Sequence, residues 1–415
     1  MKREIKPIYP SDNNNILHHK PFALFWCARA STVIAFQMQA VAVGWQIYSL
    51  SGSALYLGLV GLAQFLPMFL LTLAAGHVAD RYDRRTVARM CQAIEGLAAA
   101  ALAMGSFFGW QSKESIIAII FVAGAARAFE GPAMQSLLPG LVPAPLIPRA
   151  LAWSASAFET AGIIGPALGG LLYAAGPTTV YASAGILFLA ASTFISLIKI
   201  GRAPSQHEPP NLRSVFAGIA FIRSRPAVLG AISLDLFAVL LGGATALLPI
   251  YARDILLTGP WGLGLLRSAP AIGALIMSVF LARHPLQRHV GRTMFGAVTV
   301  FGGATIIFAV STSFILSLVI LAILGAADVI SVVIRHSLVQ IETPDEMRGR
   351  VSAVNSMFIG TSNQLGEFES GVTAAWFGVI PSVLIGGIGT IIIVIIWMRL
   401  FPQLANIYSL GPSDK

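Results

Sequence analysis

Seven carboxylates stand inside long apolar stretches of this 415-residue chain: Glu95, Glu130, Glu159, Asp235, Asp328, Glu367 and Glu369. A charge at the middle of a membrane-spanning helix costs about 2.5–3.5 kcal/mol, so each of these groups must be paired, protonated or wet. A carboxyl group withdrawn from water is harder to ionise and can trade a proton near neutral pH. Proton carriage is therefore the chemistry these residues could do. Glu130 and Asp328 are the first candidates, with Arg127 tuning them and Asp235 third. Glu95 and Glu369 are read as structural or lumen-solvated. A structural salt bridge accounts for a buried charge equally well: Arg127 and Glu130 are three residues apart and share a helix face.

A solute moving between helices needs polar groups set in apolar walls. Gln37, Gln64, Asn355, Asn363 and Glu367 are the candidates to line such a path. Asn355, Ile359, Asn363 and Glu367 recur every four residues, on one helical stripe. Chemistry of other kinds has no foothold. There is no Walker A loop, no HExxH and no GxSxG. The histidines form no metal-ligand set, and Cys27 and Cys91 make no CxxC. The reading is of no enzyme, no cofactor and no metal.

The elements that must hold these residues follow from composition. Hydrophobic residues make up 56% and charged residues 11%, with mean hydropathy +0.77. A soluble surface needs about 25% charge, so the chain is expected to be an all-α membrane protein. Twelve spans are predicted, at about 22–47, 54–79, 86–109, 115–138, 147–175, 178–200, 227–251, 262–283, 291–312, 314–338, 349–376 and 380–401. With both termini cytoplasmic, 21 Lys and Arg fall inside and only Lys113 and Arg253 outside; Arg29, Arg127, Arg267 and Arg335 lie within spans. That asymmetry fixes the orientation. It also assigns the net charge of +9 to loops beside anionic lipid rather than to nucleic acid. The predicted organisation is a cytoplasmic tail (1–21), a six-helix bundle (22–200), a central loop (201–226), a second six-helix bundle (227–401) and a cytoplasmic tail (402–415).

Six plus six helices invite a search for a repeat. A shift of 201 residues aligns 124–174 with 325–375 without a gap, giving 12 identities in 51 positions. The matches include Pro143 with Pro344, Arg149 with Arg350, Gly165 with Gly366 and Gly170 with Gly371. Arg127 falls on Asp328, so opposite charges occupy equivalent places and could meet across a cavity. A parallel repeat of this kind places a binding site between the halves, and a monomer suffices to build it.

Three motifs carry a family resemblance. Gly76 to Arg85 (GHVADRYDRR) resembles the loop 2–3 signature G-x-x-x-D-R-x-G-R-R/K of the major facilitator superfamily, with Asp83 where Gly is usual. Arg127 to Gly131 resembles its R-x-x-Q-G pattern, with Glu for Gln. Gly165, Pro166, Gly169 and Gly170 resemble the helix-5 pattern of antiporting exporters, whose kink would suit rocking of the halves. Residues 40–85 and 343–371 are similar to the branch of enterobactin exporters and macrolide and multidrug efflux proteins. The resemblance implies a two-fold pseudo-symmetric bundle in a bacterial inner membrane. It implies proton-coupled export, by alternating access, of a bulky amphiphile such as a drug or siderophore. A lysolipid flippase or a uniporter without proton coupling is the alternative. It further implies a cytoplasmic gate of Gly76, Asp80, Arg81, Arg84 and Arg85. In that gate Asp80 meets the N-terminus of helix 11 near Arg348, and the arginines meet lipid phosphates.

Overall fold

In lipid, a backbone can satisfy its N–H and C=O groups only by closing them within helices or a closed barrel. The computed structural model describes residues 16–199, 212–286 and 288–409, apart from the side chains of residues 73, 77, 79, 80, 212–215, 345, 346 and 353. Among the described residues there are helices and no strands. The first half holds α1 (Lys20–Ser51), α2 (Ala54–Arg81), α3 (Arg84–Phe108), α4 (Lys113–Leu137), α5 (Ile147–Leu172) and α6 (Pro177–Leu197). The second holds α7 (Leu212–Ser224), α8 (Pro226–Leu241), α9 (Leu248–Ile250), α10 (Gly259–Arg283), α11 (Val290–Val310), α12 (Phe314–Glu342), α13 (Asp345–Phe377), α14 (Val379–Leu400) and α15 (Pro402–Ala405).

Eleven stretches are long and apolar enough to cross a membrane, with 226–255 counted as one. The twelfth predicted span is α13. It packs among the others but carries Asn355, Asn363, Glu367 and Glu369, and so falls short on composition. The α5–α6 and α13–α14 turns both pass through a glycine with positive φ, Gly176 at 102° and Gly378 at 92°, a conformation that disfavours a side chain.

In the first half α1 lies against α5 and α6, α3 against α4 and α6, and α2 against α4. In the second, α12 packs on α10 and α11, α14 on α8 and α11, and α13 on α8. The halves meet along α2–α13 and α5–α10. Glycines set that approach. A Cβ on Gly170 would come within 2.6 Å of the Pro260 carbonyl and 2.9 Å of Gly264 Cα. A Cβ on Gly58 would come within 2.9 Å of the Phe368 carbonyl and 3.0 Å of Gly371 Cα. Gly170 and Gly371, superposed by the repeat, thus do the same work in the two inter-half seams. Gly165 and Gly366 correspond too: the first abuts α1 at Gln37 and Ile34, the second abuts α8 at Val239 and Leu240.

Four segments depart from the sequence reading. The predicted helix 227–251 is broken at Gly242 and Gly243, continues through a 3-10 turn and α9, and ends in a π-helical turn at Tyr251–Ile255. Gly243 abuts the Gly366 backbone, so a regular helix with side chains does not fit there. Within the segment read as a central loop, 212–224 is helical and α7 packs on α13, Gly218 lying against the Arg350 carbonyl. The segments read as tails contribute packed residues. Ile16 and Leu404 are buried, and Val290 N donates to the Tyr408 carbonyl.

Candidate functional site

The central cavity lies between the halves and has a volume of about 120 Å³. Its polar lining comes from Gln37 and Gln39 on α1, Gln64 on α2, Glu95 on α3, Arg127 on α4, Arg267 on α10 and Glu367 on α13. Phe36, Val43, Leu57, Val60, Ile120 and Phe188 supply apolar walls. The helix break brings Ala246 to the same cavity. Small residues hold the space open: Gly44 faces Pro249 and the Arg267 guanidinium, and a Cβ on Gly61 would strike Glu367.

Three residues expected on the path, Gln37, Gln64 and Glu367, are brought together here with Arg127, which was expected to tune the coupling carboxylates. Glu95, read as structural or lumen-solvated, also stands in the lining, and Gln39 and Arg267 there had been given no role from the sequence. A lone arginine in an apolar span is itself a functional signal, and Arg267 carried it. The Arg127 guanidinium lies 3.4 Å from the centre of the Phe36 ring, a cation–π contact, and its Nη1 has no hydrogen-bond partner. Arg267 Nε and Glu95 Oε2 are likewise buried without partners. These unspent donors and acceptors suit a ligand with both oxygen acceptors and hydroxyl or amide donors.

Behind Arg127, in the first half, sits Glu130. It accepts from Gln92 Nε2 at 3.1 Å, and the same amide donates to Thr32 Oγ1 at 3.2 Å. The intrahelical pairing of Glu130 with Arg127 is electrostatic rather than a closed salt bridge, and Arg29 adds its charge to the cluster. In the second half Asp235 forms a buried ion pair with Arg335 at 2.8 Å. Asp328 is partly buried beside them, on a small separate cavity of about 10 Å³ shared with Asp235 and Ser331. Arg127 and Asp328 do not meet: they line different cavities, and among the described residues no ion pair joins them. The repeat gave them equivalent depth, not contact.

Asn355 and Asn363 stand off the central lining. Asn355 is buried with its Oδ1 unpartnered, while exposed Asn363 donates to the Ile359 carbonyl. Gly76 and Arg81 lie in the last turns of α2, Arg81 exposed; the Asp80 side chain lies outside the described residues. Arg84 donates to the Ser136 carbonyl near the end of α4 at 2.9 Å, and Arg85 to the Ile198 carbonyl after α6 at 3.0 Å. Cations at helix C-termini satisfy free carbonyls and oppose the dipole. These two arginines thus fasten three helices of one half, a role the sequence reading had not given them. Asp83, the departure from the motif, caps α3 through Arg85 N and pairs with the Arg85 guanidinium at 3.3 Å. Partial burial pushes its carboxyl up, but the hydrogen bonds from Arg85 and Thr86 outweigh that and hold it below the usual range.

Gly165, Pro166, Gly169 and Gly170 are all buried. Gly165 and Gly169 seat α5 against α1, while Pro166 and Gly170 face Gly264 of the other half. The motif is therefore the seam on which the halves bear.

A family model described as "Transmembrane secretion effector" matches residues 14–412. The chain belongs to that family. It is a multi-pass membrane transporter of the major facilitator superfamily. The Enterobactin exporter EntS of Citrobacter koseri is 25% identical over 93% of both chains, and that of Escherichia coli K12 is 24% identical over 95% of both. Among solved structures, a bacterial homologue of the human lysosomal transporter Spinster superposes with a TM-score of 0.71 at 13% identity, covering 93% of this chain and 97% of that one. At that identity the likeness concerns the fold.

Proposed function

We propose that this transporter exports a bulky, oxygen-rich amphiphile from the cytoplasm in exchange for protons, by rocking its halves about the central cavity. The observation that carries the reading is the cavity itself: paired Arg and Glu residues from both halves around a space walled by aromatic and aliphatic side chains. Alternating access needs a site shared by both halves, and Arg127 and Glu95 answer Arg267 and Glu367 across it. Relatives named as exporters of enterobactin favour a siderophore or a compound of similar chemistry. The 21-to-2 distribution of basic residues supports cytoplasmic termini.

The halves approach backbone to backbone at the end remote from the termini, at Gly170–Gly264 and Gly58–Gly371. Towards the termini the α5–α10 seam relaxes to ordinary van der Waals contact, a Cβ on Gly162 meeting Ala271 at 3.8 Å. The described state is closed on the proposed periplasmic side. Pockets for drug-sized ligands run to about 300–1,000 Å³, so a bulky substrate enters only as the near side widens. Glu130 and Asp328, with Asp235 and Arg127 beside them, are the proposed coupling groups, one cluster in each half.

Everted vesicles test the reading. They are energised, then given catecholate and hydroxamate chelators, macrolides and hydrophobic cations in turn. The expected result is proton release evoked by one chelator class and abolished by Arg267→Leu. Uptake without proton movement would overturn the coupling and favour a uniporter or amphiphile flippase.

A further inference from the structure

Seven carboxylates and four arginines lie in the spans; Glu159 is exposed and Glu369 half-buried, and the other five carboxylates fall into clusters with the arginines. Glu95 and Glu130 have Arg127 and Arg29. Glu367 has Arg267. Asp235 binds Arg335 at 2.8 Å. Of these five clustered carboxylates Asp328 is left over, because the charges that act on it are those of Asp235 and Arg335, which already answer each other. With all three ionised, this corner of the second half holds one uncompensated negative charge.

The same corner holds an unfilled place. Asp235, Asp328 and Ser331 border a cavity of about 10 Å³, room for one water or one small ion. Ser331 follows Asp328 by three residues, so both project from one face of α12. Its side chain is 2% exposed, and its Oγ has no hydrogen-bond partner. The rest of the wall is apolar, including Val298 and Phe301 from α11, so Asp235 from α8 and Asp328 from α12 are the titratable groups that face the cavity. His336, next along α12, is exposed and senses Arg335. The repeat underlines the asymmetry: Arg127 and Glu130 of the first half become Asp328 and Ser331 in the second, so a cation–anion pair is replaced by an anion and a hydroxyl.

We propose that Asp328, Asp235 and Ser331 form a seat for one monovalent cation, a proton or a sodium ion, apart from the central cavity. The inference rests on the coupled-transport reading and names where its ion sits. One net charge and three side-chain groups, one of them already bound to Arg335, match a monovalent ion rather than a divalent one. Ion and substrate then occupy different cavities, so they are linked through movement of α8 and α12 and not by competition for shared ligands.

The test uses the purified full-length protein in detergent, without substrate, so a failure of the export reading leaves its outcome standing. Thermal unfolding is followed from pH 5.5 to 9 in sodium chloride or choline chloride at constant ionic strength. A cation that binds only the folded state raises Tm. The expected result is a Tm rise of several degrees, on acidification if the ion is a proton or on replacing choline by sodium if it is sodium. His336→Gln keeps that response, and Asp328→Asn loses it. Ser331→Ala weakens a sodium response and spares a proton response. Should Asp328→Asn not fold, Asp328→Glu serves instead, with a displaced midpoint expected. A wild-type response retained in Asp328→Asn, an unmoved midpoint in Asp328→Glu, or no response in the wild type overturns the proposal.

Discussion

At the scale of single residues, the pair Asp235–Arg335 shows how a charge survives inside the bundle. Both side chains are nearly inaccessible, at 6% and 3% exposure, and they touch at 2.8 Å. Removing one partner of such a pair strands the other, at a cost of about 3–5 kcal/mol, whereas removing both is often neutral. Arg335→Leu is therefore expected to lower the unfolding temperature sharply, and Asp235→Leu/Arg335→Leu to recover most of the loss. Thermal unfolding of the three proteins in one detergent checks it; a double variant as weak as the single one would show that the pair is not the unit. Both residues were visible in the sequence as charges in apolar spans. Their partnership was not, because 100 residues separate them and only packing of α8 on α12 joins them.

At the scale of elements, the α2–α3 turn shows a motif departure acquiring a purpose. Asp83 caps α3 and holds Arg85, which in turn holds the end of α6. Loss of an N-cap costs about 0.5–2 kcal/mol, so Asp83→Ala is expected to destabilise the protein by about 1 kcal/mol near pH 7. The folded-state pKa of Asp83 lies below its unfolded value. Its contribution is thus complete above about pH 4 and is lost as pH falls through the depressed folded value. Unfolding curves of wild type and Asp83→Ala should converge in acid, and a constant gap down to pH 3 would argue against the assignment. The cap was legible in principle, since Asp directly before a helix start is an N-cap signature. The helix ends that Arg84 and Arg85 reach were not, because carbonyls 52 and 113 residues away come near only in the folded bundle.

At the scale of the whole molecule, one face of the bundle is latched. Tyr48 at the end of α1 donates to Asp254 of the other half, and the Arg253 guanidinium lies 5.4 Å from the Tyr48 ring centre. Below this latch the Gly170–Gly264 seam leaves no room for a methyl group. Tyr48→Phe and Gly170→Leu are both expected to shift the population towards opening on that face. A hydrogen bond to a charged group is worth about 1.5–3 kcal/mol, which corresponds to tenfold or more in the open population. The measurement is labelling of Gln37→Cys, with Cys27 and Cys91 replaced by Ser, by a membrane-impermeant thiol reagent added on the latched side. Labelling at the unchanged rate in both variants would mean that neither the latch nor the seam controls access.

Sequence alone determined that the chain crosses a membrane as helices, that it does so in two related halves, and which charges lie in the spans, though Glu159 among them is exposed. Each follows from local quantities: apolar run length, the sidedness of Lys and Arg, and the 201-residue register. The repeat even marked Gly170 and Gly371, whose shared task needed only the absence of a side chain. Tertiary structure decided the rest. It divided the buried charges between a central cavity and a separate corner of the second half, keeping Arg127 apart from Asp328. It broke the helix at Gly242–Gly243 and brought Glu95 and Arg267 to the cavity. Those outcomes depend on which faces of non-adjacent helices meet. Ridge-and-groove packing settles that between elements, and periodicity along one helix does not encode it.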